Sequence, residues 1–458
     1  MISIFYDLET TDLERVGQIL NFAFIAVDDD LAPIESIAAN VKISRLQLPR
    51  VGAILTNRTN VIEHQKIATL TEHEAVLKIN EFLNRTIARA GGSSIAMIGY
   101  NSASFDLDFL RTVFIRNGIN PYNSRVQHKD LLLVSRYLMA FNDNYREKLF
   151  ANAGDDKVRL KLEGLCKLFG LLEGAQDHES LSDVLLTIEL AKVYKNTFQV
   201  DVRQFEPYQV KELHNKTQSE LHILAEPLSS NFKPDKRCRT YPATLLDANE
   251  RYALWIDLAK YNTLKKKSLD PKGAIKWKKF VEHIVIKHDE PSEEDFTSAI
   301  CEALEELKGI NLGNYFTETT CDIEQFIYRI RPNEIDLLRN AMNAGSSTPN
   351  FTTDMNQLLK RFWLENYAQE PTAEFYTALE RYAAYRYGGK LQLTNSSEDG
   401  AKIHATLPML ISEIEKAATT ATSDEDKTLI DSLRKHYLKS DIYRVAGAKL
   451  MTLEEQNV

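Results

Sequence analysis

The sequence predicts an α/β fold, with a smaller strand-bearing region behind it and a helical end. Three observations carry that expectation. The chain opens on an apolar, β-branched run; strand and helix signals alternate through the first 200 residues; and beyond about residue 355 the pattern is helical. Strands that come first, with helices interleaved after them, suit a mostly buried sheet covered by helices.

Each element has its own local reason. Residues 1–6 (MISIFY) have the composition of a buried strand. Residues 21–27 (NFAFIAV) and 36–43 (SIAANVKI) follow at short spacing and predict an antiparallel meander. Over residues 71–90, Thr71 and Glu74 are spaced as a capping box, and Val76, Ile79, Phe82, Leu83 and Ile87 make an apolar stripe. Gly91 and Gly92 end that helix. Residues 93–101 (SSIAMIGYN) read as a buried strand, followed by helical patterns at about 104–117, 129–141, 159–170 and 180–195. After residue 200 the texture changes. Residues 242–259 read as two strands around a polar turn at 247–251, and 293–308 and 324–343 as amphipathic helices. The Gly/Ser/Thr/Pro-rich stretch 344–354 reads as a linker. The expected domains are therefore 1–200, 201–345 and 350–458.

Composition narrows the class. At 43% hydrophobic and 26% charged, the chain is an ordinary globular protein with length for real cores. No run approaches the roughly 18 apolar residues of a membrane span. Asp7, Glu9 and Asp12 interrupt the N-terminus too early for a signal-peptide core. Cys166, Cys238, Cys301 and Cys321 are widely spaced without a CxxC pair, which predicts reduced thiols in a cytoplasmic protein and no zinc site. The net charge of −9 is uneven. Residues 232–280 hold 13 Lys and Arg against 5 Asp and Glu, a local +8 that could meet a polyanion.

The acids are where chemistry is expected. Asp7 and Glu9 sit one residue apart at the end of the first strand, so they face the same side. Two like charges on an apolar face are costly unless a cation lies between them; the bland alternative is a strand running out into solvent. Placed on a helix, Asp106 shares a face with Phe109, Leu110 and Val113, though the macrodipole alone would favour an acid there. Asp108 lies off that stripe and reads as a solvated acid. Asp183 falls in the first turn of a helix whose buried face is marked by Val184, Leu185, Ile188 and Ala191. Ser180 and Asp183 could also form a plain capping box, and His178 lies just ahead, within reach of Asp183. The other histidines, His64, His73 and His128 among them, have no comparable acidic context.

In order, Asp7-x-Glu9, Asp106 and His178-x4-Asp183 resemble the DEDD 3′→5′ exonuclease superfamily in its histidine variant. Residues 99–122 (GYNSASFDLDFLRTVFIRNGINPY) resemble the second motif of the exonuclease I family, and 48–60 (LPRVGAILTNRTN) an upstream segment of it. Residues 231–259 resemble the start of its second domain, and 361–386 its C-terminal helical domain. The resemblance implies a ribonuclease-H-like exonuclease domain, a Src-homology-3-like barrel domain and a C-terminal helical domain. It also implies two Mg²⁺ ions, with Mn²⁺ as a substitute: Asp7 bridging both, Glu9 and Asp183 completing one site, Asp106 supporting the other, and His178 as general base. Mg²⁺ prefers carboxylate and water oxygens, which suits acids rather than cysteines. The family's acidic motif usually ends in Gly; here Asp12 follows Thr10 and Thr11, which alters the grip on a terminal nucleotide.

The implied substrate is single-stranded DNA, cut to 5′-mononucleotides in repair or recombination by a monomer. A single-stranded-DNA-binding protein is an implied partner; no membrane is. Leu8, Thr10 and Phe105 are expected to bind the substrate. Lys265, Lys266 and Lys267, in the basic segment, are expected along the strand, where cations and aromatic platforms hold single-stranded nucleic acid; the bland reading of these lysines is a solvated turn. An exoribonuclease or proofreading-type exonuclease would share the acids, but those relatives are generally short single-domain chains. A silent single-strand-binding adaptor would usually have lost at least one of the five site residues.

Overall fold

The computed structural model describes residues 1–153, 160–174, 179–205, 222–225, 240–248, 252–279, 285–286, 297–307, 330–344, 353–366, 372–387 and 406–445. The opening run forms β1 (Ser3–Thr10), which pairs antiparallel with β2 (Ile19–Val27). That strand pairs antiparallel with β3 (Pro33–Asn40), giving the expected meander. On its other edge β1 pairs parallel with β4 (Ile95–Gly99), and β4 parallel with β5 (Val126–Asp130). The sheet order is β3-β2-β1-β4-β5.

Strand alternation splits the β1 side chains between two cores. Ile4, Tyr6 and Leu8 pack with Val76, Ile79 and Phe82 of a helix at Glu72–Arg89 and with Phe109, Leu110 and Val113 of a helix at Asp106–Arg116. Phe5 faces the other way, into a core with Val184, Ile188 and Ala191 of a helix at Ser180–Phe198. Residues 7 and 9 continue that second face. The helix at Glu72–Arg89 starts at Thr71 with the full capping box, and Gly91 and Gly92 after it take positive φ. Leu185 departs from expectation: it is 45% exposed, and Thr187, Tyr194 and Phe198 complete the buried face instead.

Between β3 and β4 lie α1 (Val51–Thr56), α2 (Val61–Ile67) and α3 (Glu72–Arg89). After β4 come α4 (Asp106–Arg116), β5, α5 (Leu131–Phe141), α6 (Asp143–Ala153), α7 (Leu162–Leu168) and α8 (Ser180–Phe198). A second, antiparallel sheet of order β10-β6-β7-β8-β9 is built from β6 (His222–Ala225), β7 (Thr240–Ala248), β8 (Tyr252–Asp257), β9 (Ile275–Lys279) and β10 (Val285–Ile286). Two helices, α9 (Leu258–Lys266) and α10 (Ser298–Leu307), share a core with it.

The C-terminal region is helical: α11 (Pro332–Ala344), α12 (Thr353–Asn366), α13 (Ala373–Arg386), α14 (Leu407–Thr420), α15 (Asp424–Lys439) and α16 (Asp441–Val445). Its Tyr382, Tyr387, Tyr437 and Tyr443 are core residues, packed with Val51, Ile54 and Val61 of α1 and α2. The expected linker at 344–354 lies mostly outside the described residues.

The turn that follows β1 is tied down by a buried ion pair. Arg116 donates from Nε to Glu72 Oε2 at 2.7 Å and pairs through Nη2 with Glu72 Oε1. The same guanidinium donates to the carbonyls of Val16 (3.2 Å) and Gly17 (2.8 Å). Removing one partner of such a pair strands the other charge in the core, which typically costs about 3–5 kcal/mol. Arg116→Met should therefore lower unfolding free energy by that order in urea titrations at neutral pH. A change under 1 kcal/mol would show that the pair is not what holds the turn.

Candidate active site

The strand and the helix that face each other on one side of the sheet deliver three acids to one point. Asp7 and Glu9 extend from the face of β1 that Phe5 begins, and Asp183 comes from the first turn of α8, beside the buried Val184. Each offers an oxygen, and these oxygens lie within 4.8 Å of one another. Asp183 is buried, whereas Asp7 and Glu9 are half-buried at the mouth. Glu9 sits opposite Asn21 in the β1–β2 ladder, and Asn21 Oδ1 accepts a hydrogen bond from Ser180 Oγ at the start of α8. That bond pins the helix to the sheet. The N-cap is Glu179, so Ser180 and Asp183 do not form the capping box that the spacing allowed.

Asp106 arrives from the opposite layer, as the first residue of α4, and is buried. It stands outside the three-acid group, yet Asp7 acts on it electrostatically. The chain turns sharply to place it. A Cβ at Gly99 would lie 2.4 Å from Ser102 Cβ, and Asn101 takes φ 59°.

Burial and mutual repulsion raise every one of these acids for which a shift is resolved. Burial and then Asp183 push Asp7 up to about 7, partly offset by a hydrogen bond from Ser180. Burial, then Asp7, Asp183 and Asp106, push Glu9 up to about 10. Burial and Asp7 hold Asp106 well above its ordinary value. Among the described residues no Lys or Arg forms an ion pair with Asp7, Glu9 or Asp106, and Asp7 Oδ2 is buried without a hydrogen-bond partner. Hard oxygen donors, crowded and lacking a cation, fit a divalent metal such as Mg²⁺ or Mn²⁺.

Residues 4–191 match the exonuclease (RNase_T) family model. They form an exonuclease domain. Exodeoxyribonuclease I of Escherichia coli (strain K12) is 30% identical over 202 residues, a match that covers 42% of this chain and 39% of that protein. The protein of the same name from Buchnera aphidicola (subsp. Acyrthosiphon pisum) is 28% identical over 204 residues, 42% of this chain and 45% of its own. The sequence match thus spans less than half the length of these relatives. Fold similarity extends further. The structure of Escherichia coli exonuclease I in complex with a dA16 oligonucleotide covers 96% of this chain and 99% of its own, with TM-score 0.68 at 17% identity. An exonuclease I from Methylocaldum szegediense covers 97% and 100%, with TM-score 0.66 at 20% identity.

The remaining expected residues fall in different places. Leu8 and Thr10 are buried, and Thr10 Oγ1 donates to the Asp12 carbonyl at 2.8 Å. Phe105 is half-buried immediately before Asp106, its ring 5.0 Å from that of Phe109. His178 lies outside the described residues. Lys265, Lys266 and Lys267 are exposed at the end of α9, beside the second sheet and not among the acids, with Lys265 paired to Glu306. Asp108 is a correction: it is half-buried and pairs with Arg15 at 3.1 Å instead of being a solvated acid. Asp12 is buried, accepts from the Glu14 amide and faces Arg50 at 3.7 Å. Burial pushes it up to about 6.

Asp130 is the supporting residue that sequence reasoning missed. At the end of β5 it accepts the amides of Asn101 (2.8 Å), Ala103 (3.1 Å) and Leu132 (2.9 Å). It caps α5 and, with the same carboxylate, holds the turn that leads to Asp106. Its signal was visible as an acid directly before the apolar run LLLV.

The raised acids set a sign for pH dependence. The folded metal-free protein keeps a proton on Asp7 up to about pH 7, whereas the unfolded chain releases it near pH 4. The folded state therefore binds more protons across that window, and the cluster's contribution to stability falls as pH rises through it. A divalent ion reverses the effect, so the rise in Tm on adding Mg²⁺ or Mn²⁺ to chelator-treated protein should be larger at pH 8 than at pH 5.5. Asp7→Asn should raise the Tm of the metal-free protein at pH 8 and shrink the metal-dependent gain. An Asn variant with an unchanged metal-dependent gain would contradict the site.

Proposed function

We propose that this chain is a 3′→5′ exonuclease that degrades single-stranded DNA to 5′-mononucleotides by two-metal phosphodiester hydrolysis. The observation that carries this reading is the meeting of Asp7, Glu9 and Asp183 with oxygens within 4.8 Å. Asp7, Glu9, Asp183 and Asp106 would hold two Mg²⁺ ions, for which Mn²⁺ would substitute. Bound there, the ions supply charge neutralisation on the phosphoryl oxygens, an activated water and a stabilised leaving oxygen.

The chain's own residues supply the rest. His178 is the proposed general base, because a neutral imidazole with an ordinary pKa of about 6.5 can take a proton at neutral pH. Leu8, Thr10 and Phe105 are the proposed contacts of the terminal nucleotide. The second sheet, read as a Src-homology-3-like barrel, and the C-terminal helices would guide the strand. The related exonuclease I solved with a dA16 oligonucleotide supports single-stranded DNA as the substrate class. A cytoplasmic monomer acting in repair or recombination, in contact with a single-stranded-DNA-binding protein, completes the proposal.

The test is a 5′-labelled DNA oligonucleotide and its RNA counterpart, each with Mg²⁺ or chelator. The DNA should shorten from its 3′ end only with metal. Asp7→Ala and Asp183→Ala should abolish cleavage while strand binding survives, and His178→Ala should slow turnover by about 10²- to 10⁴-fold. More than a few per cent of residual activity in either Asp variant would remove the metal assignment, and faster RNA cleavage would move the substrate to RNA.

The basic segment makes a separate prediction. Binding of a long single strand should weaken by roughly 0.7 log units per log unit of salt for each phosphate contacted. Replacing Lys265, Lys266 and Lys267 together with Ala should flatten that slope, with Lys266 and Lys267 contributing most because Lys265 is already paired with Glu306. An unchanged slope would place the strand elsewhere.

A further inference from the structure

The turn after β1 is fastened to the C-terminal helices through one side chain. Arg50 caps α1 and lies between two acids. Its Nη1 is 3.7 Å from Asp12 Oδ1. On the other side its Nε donates to Glu413 Oε2 of α14 at 3.2 Å, and its Nη2 pairs with Glu413 Oε1. Its backbone amide also donates to the Thr11 carbonyl at 2.9 Å. Asn57, at the far end of α1, donates from Nδ2 to the Thr10 carbonyl at 2.8 Å. The last residues of the acid-bearing strand are thus held by α1 and its two ends.

These ties matter because the sheet does not fix that end by itself. The β1–β2 register shifts between Glu9 and Thr10, so the ladder is irregular directly beside a site acid. The segment that carries Arg50 is in turn held by the C-terminal helices. Tyr387 Oη donates to the Leu46 carbonyl at 3.0 Å and accepts from the Leu48 amide at 3.1 Å. Tyr437 Oη donates to the Pro49 carbonyl at 2.7 Å. Val51 and Ile54 sit in the core that α14 and α15 complete. Asp12 belongs to the same device. Gly17 is its packing partner, since a Cβ there would lie 2.6 Å from Asp12 Cβ.

We propose that Arg50 is a positioning residue that, by joining Asp12 to Glu413, makes the placement of Asp7 and Glu9 depend on how the C-terminal helices dock. The inference rests on the metal reading of those acids. It gives the helical region a share in the chemistry through the turn at 10–12. It also gives Asp12 a task in place of the backbone approach that a Gly allows.

The structure contains its own control. Arg58, also contributed by the α1–α2 segment, pairs with Glu425 (3.2 Å) and Asp426 of α15. It joins the same two regions, but among the described residues its guanidinium pairs with the α15 acids and with no residue of the turn at 10–12. Arg50→Lys keeps the charge but cannot reach both acids with a planar fork. Glu413→Ala cuts the tie from the far side on a partly exposed residue.

The experiment is a Mn²⁺ titration of the full chain followed by electron paramagnetic resonance of the free ion, paired with single-turnover cleavage of a 5′-labelled single strand. Arg50→Lys and Glu413→Ala should each raise the Mn²⁺ dissociation constant about 10-fold, the scale of losses for supports behind metal ligands. Their cleavage rates at limiting Mn²⁺ should fall in parallel, with unchanged KM for the strand, and Arg58→Met should match wild type in all three. Wild-type Mn²⁺ binding in both Arg50→Lys and Glu413→Ala would overturn the proposal, as would an equal loss in Arg58→Met, which would reduce it to general docking. If wild type binds Mn²⁺ and leaves DNA intact, the exonuclease reading fails while the Mn²⁺ titration still decides the role of Arg50.

Discussion

Carboxylates that repel one another are held together by the packing of one strand and two helices. Local spacing makes only Asp7 and Glu9 neighbours; Asp106 and Asp183 come from distant helices. Alternation along β1 aims two of them at α8, whose first turn brings the third, and the turn closed by Asp130 brings Asp106 over from the other layer. Asp7, Glu9 and Asp106 are raised by burial and by neighbouring acids, so the arrangement works against the stability of the metal-free fold near neutral pH. A fold that keeps such a cluster must stabilise it elsewhere. Here that role falls to the two apolar cores on either face of the sheet and to the ion pairs that clamp the turn after β1.

That turn joins the parts of the molecule. From one side Arg116 reaches it out of the exonuclease domain, and from the other Arg50 links it to the C-terminal helices. Its residues 10–12 follow the site acids directly, so a displacement of the turn is a displacement of Glu9. The apolar surface shared by α1, α2, α14 and α15 gives this link a rigid base, because a close-packed core transmits strain instead of absorbing it.

Much of this was legible in the sequence, and the reasons are physical. The capping box at Thr71 and the apolar run of β1 are strong local signals, and both elements are where the pattern placed them. The i, i+2 spacing of Asp7 and Glu9 fixed their common face before any partner was known. Weak local signals failed. β5 (VQHKD) is a short polar edge strand with no apolar alternation, and α1 and α2 are six and seven residues long with little periodicity. Leu185 was assigned to the buried face by residue type, but α8 turns it outward and uses Thr187 and Tyr194 instead. The pairings of Asp12, Asp108 and Asp130 depend on contacts between distant segments, which spacing along one helix or strand does not encode. The order of the acids along the chain pointed to the chemistry more clearly than any single one of them did.

The central claim is that the four carboxylates are neighbours because divalent cations belong between them. Anomalous diffraction from a crystal of the full chain soaked in Mn²⁺ tests it most directly. The account predicts two peaks about 3.5–4 Å apart, both within coordination distance of Asp7. Glu9 and Asp183 should lie on one of them and Asp106 toward the other. Absence of any peak at these acids under saturating Mn²⁺, with a Lys or Arg side chain folded into the cluster instead, would contradict it.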